Sequence, residues 1–122
     1  MGSHPLNLAL RFLLELAALI AIGFWGWEQY DTWMRFILAI GLPLIAAAIW
    51  GIFNVPNDPS RSGNAPIPVP GIIRLLLEFA FFTFASWTLY SSGEIKLAWI
   101  LVGIVAIHYV ISFDRIAWLV KQ

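Results

Sequence analysis

Four stretches of this sequence, each roughly twenty residues long, are almost wholly apolar, and this feature constrains the fold more than any other. A helix needs roughly 20 apolar residues to cross the hydrocarbon layer of a bilayer. None of the stretches alternates apolar and polar residues as a barrel strand does, so helices are the expected spanning element. The predicted spans are residues 6–27, 33–53, 71–90 and 95–118.

The composition favours lipid over water as the surroundings of the chain. Of its 122 residues, 61% are hydrophobic and 11% are charged, whereas soluble domains average about 25% charged residues. A soluble domain of this length could not bury so much apolar surface, because small domains bury the smallest fraction of theirs. The sequence therefore predicts one all-α integral membrane domain, residues 1–122, in which four transmembrane helices form an antiparallel bundle.

Charge and cysteine content argue against several function classes. The formal net charge is zero, with seven basic and seven acidic residues, so the basic surface that nucleic acid requires is not expected. The absence of cysteine excludes disulfides, thiolate metal sites and cysteine nucleophiles. No motif sets a nucleophile beside a base or builds a glycine-rich phosphate loop. We therefore predict no catalytic residues, metal, cofactor or nucleic-acid partner, and a protein that is not an enzyme.

Residues 54–70 divide the four spans into two pairs. This segment holds five of the seven prolines, so it can be neither a helix nor a central strand. We expect a semi-extended linker on the membrane surface. Residues 1–4 have the character of an expression remnant, and we expect no functional role for them.

The basic residues predict the orientation of the chain. Five lie on the side of the linker and both termini, and two lie on the other side. Basic residues favour the cytoplasmic side, so both termini are expected in the cytoplasm. At the cytoplasmic end of the second span, Trp50 and Asn54 are expected to act as interfacial anchors. The five basic residues are Arg11, Arg61, Arg74, Arg115 and Lys121.

An internal repeat relates the first and third spans. Arg11-Phe-Leu-Leu-Glu15-Leu-Ala17 matches Arg74-Leu-Leu-Leu-Glu78-Phe-Ala80 at a spacing of 63 residues. A repeated Arg-x-x-x-Glu is more informative than repeated leucines, so the bundle is predicted to consist of two similar two-helix hairpins. Two spans per half make the halves parallel, related by an axis along the membrane normal.

The Arg-x-x-x-Glu pairs are the leading candidate site. Four-residue spacing places Arg11 with Glu15, and Arg74 with Glu78, on one helix face. A lone carboxylate at the bilayer centre would cost about 2.5–3.5 kcal/mol. Local helix stability favours glutamate before arginine, so we predict pairing between helices, Arg11 with Glu78 and Arg74 with Glu15. The cluster is either a neutral polar core that sets helix register or a proton- or ion-responsive site. Headgroup binding by the arginines is a third interpretation.

Three further positions complete the candidate site residues. His108 lies deep in the fourth span, followed at i+4 and i+7 by Ser112 and Arg115. We expect it to form hydrogen bonds within the bundle, with a proton relay to the glutamates as the alternative. Gly41 and Pro43 predict a kink and close packing in the second span.

Four segments carry a family resemblance across nearly the whole chain. They are Leu8-Ala-Leu-Arg11-Phe-Leu-Leu-Glu15-Leu-Ala17, Leu38-Ala-Ile-Gly41-Leu-Pro43, Trp50-Gly51-Ile-Phe53 and Arg74-Leu-Leu-Leu-Glu78. In these segments the chain resembles the YrdB-like family of small bacterial membrane proteins, DUF2568, a domain of unknown function. The resemblance implies this architecture and a location in the bacterial inner membrane, and it implies no activity. The linker is longer and richer in proline than the loop that is common in the family.

Two functions from different classes fit these features. The favoured one is a structural or interaction bundle with a buried Arg/Glu cluster, which contacts membrane lipid and either a second copy of the chain or another membrane protein. The alternative is a small homo-oligomeric transporter coupled to protons or ions through Glu15 and Glu78. One chain with four helices has little room for a pathway, so the transporter requires an oligomer.

Overall fold

The computed structural model describes residues 4–58 and 65–122. These residues form five helices and one pair of two-residue parallel strands. The helices are α1 (Pro5–Glu28), α2 (Met34–Ile52), α3 (Gly71–Ser91), α4 (Ile95–Ile111) and α5 (Phe113–Val120). The strands are β1 (Phe53–Asn54) and β2 (Ile67–Pro68), which lie at the two ends of the linker.

Within the described residues, α1, α2 and α3 are each long and apolar enough to cross a membrane. Helices α4 and α5 together make a fourth candidate span, bent by 70°. This arrangement is compatible with a helical membrane protein. The fourth predicted span is therefore not one straight helix, because α4 ends at Ile111 and α5 begins after Ser112. The bend lets α5 fold back across the start of α3, where Leu119 meets Gly71.

Local sequence signals account for where several helices begin and end. At the start of α1, the His4 side chain accepts a hydrogen bond from the Leu6 amide at 3.2 Å, and Pro5 occupies the first helical position. Pro70 immediately precedes α3. The turn between α3 and α4 contains Gly93 at a φ of 85°, which glycine adopts without steric cost.

Helices α1 and α3 form the centre of the bundle, with α2 packed chiefly on α1 and α4 chiefly on α3. Their contact surfaces carry the apolar core, which includes Ala18, Ile22, Phe82 and Ala85. Large apolar side chains also cover the outside of every helix. A soluble protein rarely exposes continuous apolar surface of this kind, whereas lipid accommodates it.

Glycines on α1 allow α2 to approach closely. A Cβ atom at Gly26 would lie 2.7 Å from the Leu38 carbonyl oxygen, and one at Gly23 would lie 3.2 Å from Cγ of Pro43. Gly41 lies in α2, where a Cβ would meet no atom within 4 Å. Helix α2 continues through Pro43. This proline packs against Gly23 of α1, and the kink stays a prediction.

Part of the described linker packs against the bundle, whereas Pro66, Ile67 and Pro68 are exposed. Val55 and Asp58 are buried, and the amide of Val69 donates to the carbonyl oxygen of Asn54 at 3.0 Å. The prolines do limit regular structure in the linker, and each strand is accordingly only two residues long. Residues 59–64, which include Arg61, lie outside the described part of the chain.

We predict that Gly71→Ala displaces α5 and lowers the free energy of unfolding by about 1–3 kcal/mol, the usual cost of overpacking. A Cβ atom there would clash with the Leu119 carbonyl oxygen, which is backbone and cannot turn away. Thermal unfolding in detergent measures the effect. Gly51→Ala is the matched control, because a Cβ at Gly51 meets open space. Equal losses of stability in the two variants would contradict the close packing of α5.

Candidate functional site

The carboxylate of Glu78 is fully buried and is surrounded by donors from four helices. Arg74 Nε donates to Oε2 at 2.7 Å, and Tyr109 Oη donates to Oε1 at 2.8 Å. Arg115 donates from Nη1 to Oε1 and from Nη2 to Oε2, both at 2.8 Å. Arg11 Nη2 forms an ion pair with Oε2 at 2.8 Å. Arginines from α1, α3 and α5 and a tyrosine from α4 therefore meet at one carboxylate.

A second carboxylate enters this site from the linker. Arg115 donates from Nε to Oδ1 of Asp58 at 3.0 Å and from Nη2 to Oδ2 at 2.6 Å. This two-point contact is the geometry in which a guanidinium binds a carboxylate most strongly. Arg115 thus joins the linker to Glu78. We refer to the six side chains of Arg11, Asp58, Arg74, Glu78, Tyr109 and Arg115 as the Glu78 cluster.

The end of α2 closes another side of the Glu78 cluster. Arg74 Nη1 donates to the carbonyl oxygens of Trp50 at 2.6 Å and Phe53 at 2.8 Å. These hydrogen bonds satisfy acceptors that a helix C-terminus leaves without an intrahelical partner. The guanidinium groups of Arg11 and Arg74 also lie over the Trp50 ring, 5.0 and 4.5 Å from its centroid. The expectation that Trp50 and Asn54 are interfacial anchors is wrong, since both are buried.

A short polar chain extends from the Glu78 cluster between α1 and the end of α4. Asn7 Nδ2 donates to Ser112 Oγ at 2.6 Å, and the Asn7 Oδ1 atom lies 3.0 Å from His108 Nδ1. Because an amide oxygen only accepts, Nδ1 carries the proton, and Nε2 is left to accept from Arg11 Nη1 at 3.4 Å. His108 therefore forms hydrogen bonds within the bundle, as expected from the sequence, and its ring contacts Arg11 and Asn7.

Four of the five residues predicted for the polar cluster come together in the buried interior: Arg11, Arg74, Glu78 and His108. Glu15 lies at the edge, with 20% of its side chain exposed and Oε1 at 3.7 Å from Arg11 Nε. The predicted contact of Arg11 with Glu78 is present. Arg74, predicted to face Glu15, instead bonds to Glu78 on its own helix. The two glutamates of the repeat thus occupy different environments.

Several members of the site were not predicted from the sequence. Arg115 carried a usable signal, because it continues the i, i+4, i+7 stripe of His108 and Ser112. Tyr109 follows His108 directly and so lies on another face of an ideal helix. Asp58 and Asn7 belong to no periodic pattern. Their positions depend on how the linker and the start of α1 pack against the bundle.

The charges of the site balance. Arg11, Arg74 and Arg115 face Glu78, Asp58 and the partly exposed Glu15. Buried charges are tolerated when each has a partner and hydrogen bonds, and removing one partner leaves a costly uncompensated charge. Within residues 4–58 and 65–122, no three His, Cys, Asp or Glu side chains are placed to hold a metal ion. Chemically, the arrangement is suited to holding helices together through ionic hydrogen bonds.

Comparison with known proteins identifies the family of this chain. Residues 9–106 match the family model of DUF2568, described as a protein of unknown function. The chain is also 40% identical over 116 residues to the uncharacterized protein YrdB of Bacillus subtilis (strain 168), an alignment that covers 95% of this chain and 94% of that protein. No solved structure matches the chain. The chain therefore belongs to the YrdB-like DUF2568 family, whose function is not known.

Proposed function

We propose that this protein is a structural or interaction protein of the bacterial inner membrane, held in one helix arrangement by the Glu78 cluster. The observation that carries the proposal is the convergence of arginines from α1, α3 and α5 on the single buried carboxylate of Glu78. A network of this kind specifies which helices lie together, since a different arrangement would leave charges unpaired in an apolar medium.

The hydrogen bonds of Glu78 support a holding role over a proton-coupling role. Both of its oxygens accept from Arg115, and each accepts from at least one further donor. A protonated carboxyl group would point its own hydrogen at one of these donors. A coupling carboxylate must also exchange its partners for water or substrate, and Glu78 is completely buried. The alternative, a homo-oligomeric transporter that uses Glu15 and Glu78, therefore has less support.

We propose two kinds of partner for this protein, membrane lipid and another protein chain. Membrane lipid covers the exposed apolar side chains, and a second copy of the chain or another membrane protein is the partner whose complex the bundle stabilises. Helix α2 is suited to such contacts, because Trp50 is the one residue that it buries. We propose no enzymatic activity and no nucleic-acid partner. The charged groups of the site are engaged with one another.

We propose further that the helices form an antiparallel bundle of two similar hairpins with both termini in the cytoplasm. The excess of basic residues on the side of the termini supports this orientation. The Glu78 cluster lies on the same side, since it takes Asp58 from the linker and Arg115 from α5. The repeat is supported by the burial of both of its arginines in one site.

We predict that Glu78→Gln lowers the free energy of unfolding by about 3–5 kcal/mol, because it leaves three buried guanidinium groups without their shared carboxylate. Glu15→Gln is the matched control at the equivalent position of the repeat. Glu15 is partly exposed and more distant from its arginine, so we expect a loss below about 1 kcal/mol. Unfolding of both variants in detergent, followed by circular dichroism, measures the difference.

Equal losses in these two variants would contradict the proposed role of Glu78 as the centre of the bundle. A Glu78→Gln protein that folds as stably as the wild type, but loses proton-coupled flux in reconstituted vesicles, would favour the transporter instead.

We predict that Asp58 and Arg115 are energetically coupled. In a double-mutant cycle of Asp58→Asn and Arg115→Lys, the two changes should be non-additive by about 1–3 kcal/mol, because lysine cannot make the two-point contact. Glu28→Gln combined with Arg115→Lys serves as the comparison, since Glu28 is an exposed carboxylate at the other end of the bundle. Additive effects for the Asp58 cycle would show that the linker is not held by this ion pair.

We predict that cysteine labelling will place both termini in the cytoplasm. The measurement needs no background mutations, because the chain has no cysteine. In intact cells, a membrane-impermeant maleimide should label Ser91→Cys, at the last residue of α3, and spare Gln122→Cys at the C-terminus. Both residues are exposed. In disrupted cells both variants should react. The opposite pattern in intact cells would place the termini outside the cytoplasm.

A further inference from the structure

An apolar groove of about 500 Å³ lies between α1 and α4, and part of its wall comes from the end of α3. Its lining includes the buried side chains of Leu14 and Leu101 and the exposed side chains of Ala17 and Phe24. Among the residues that line it, Glu94 is the charged one. The groove is separate from the Glu78 cluster, because none of the cluster's six members contributes to its lining.

The length and level of the groove match one leaflet of a bilayer. On α1 the lining runs from Leu14 to Phe24, which is about 15 Å at 1.5 Å per residue. This is half of a hydrocarbon layer roughly 30 Å thick. Trp25 directly follows the lining residue Phe24, and Trp99 is five residues after Glu94; tryptophan is enriched at the level of lipid headgroups. The groove therefore runs from the middle of the bilayer to one interface.

Glu94 determines which headgroup suits this groove. Its side chain is exposed at the interfacial end, just before α4 begins. A carboxylate above an apolar channel complements a lipid that combines an acyl chain with a protonated amine, which can donate N–H hydrogen bonds to it. An anionic headgroup without an amine would meet repulsion there. A quaternary ammonium would supply charge without a donor.

We propose that the groove between α1 and α4 binds a phospholipid with a primary amine in its headgroup, of the phosphatidylethanolamine class. One acyl chain lies along Ala17 and Leu101, and the amine meets Glu94. The inference rests on the proposed membrane location of the protein and does not depend on the role of the Glu78 cluster. It assigns the site to the leaflet that faces away from the linker and both termini.

The test measures lipid binding to the full-length chain in detergent micelles. Phosphatidylethanolamine or phosphatidylglycerol with identical acyl chains is titrated, and binding is followed by the rise in the thermal unfolding midpoint. Wild-type protein should bind phosphatidylethanolamine about two- to fivefold more tightly, the effect of one exposed ion pair. Glu94→Gln should bind both lipids equally. Glu28→Gln, which removes an exposed carboxylate at the end of α1, should keep the preference.

A second pair of variants tests whether the acyl chain occupies the groove. Ala17→Trp places a large side chain in the groove from an exposed position, so both lipids should bind less tightly. Ala48→Trp adds the same side chain to the exposed surface of α2 and should leave binding unchanged. Glu94 precedes α4, where a carboxylate also interacts favourably with the helix dipole, so Glu94→Gln can change stability even without lipid. Each variant is therefore compared with its own thermal unfolding midpoint in the absence of added lipid.

The proposal is overturned if the wild-type protein shows no preference or if the preference survives in Glu94→Gln. It is also overturned if Ala17→Trp and Ala48→Trp bind lipid alike. Resistance of the protein to extraction from cell membranes by alkaline carbonate is measured separately. Protein that stays in the membrane but lacks a lipid preference contradicts the lipid site alone, whereas extraction contradicts the membrane location.

Discussion

A buried carboxylate in an apolar medium needs compensation, and the compensation of Glu78 organises the rest of this structure. Three arginines and a tyrosine reach it from four helices. Arg115 also donates to the linker carboxylate of Asp58, and Arg74 donates to carbonyl groups at the end of α2. The compensation of the Glu78 charge therefore links the ends of the helices to Asp58 of the linker.

The ion-pair network contributes more to the choice of which helices lie together than to the total stability of the fold. Replacing a buried ionic network with well-packed apolar residues is often neutral or stabilising, whereas breaking one partner is costly. In lipid, apolar surfaces give helices little reason to prefer one neighbour over another. A shared charge network at one end of the bundle supplies that preference, and the glycine contacts of α1 with α2 supply close packing elsewhere.

Sequence reasoning found the spans because their signal is local. The length of each apolar run is a property of consecutive residues, so the boundaries of α1, α2 and α3 agree with the predicted spans to within one residue. It also found Arg11, Arg74, Glu78 and His108, since ionisable residues in apolar helices need hydrogen-bonding or ionic partners. It misplaced Trp50 because a tryptophan near a span end is usually interfacial. Here two guanidinium groups lie on its ring.

By itself, the sequence determined the apolar helices, their approximate ends and the need for ion pairing, because apolar length and the cost of an unpaired charge can be read residue by residue. Only the tertiary structure decided which carboxylate serves as the centre. Glu15 and Glu78 stand in the same local motif, yet Tyr109, Arg115 and, through Arg115, Asp58 meet around Glu78. That choice depends on the 70° bend at Ser112 and on the path of the linker. Neither is encoded in the periodicity of a helix, because both arise from contacts between residues far apart in the chain.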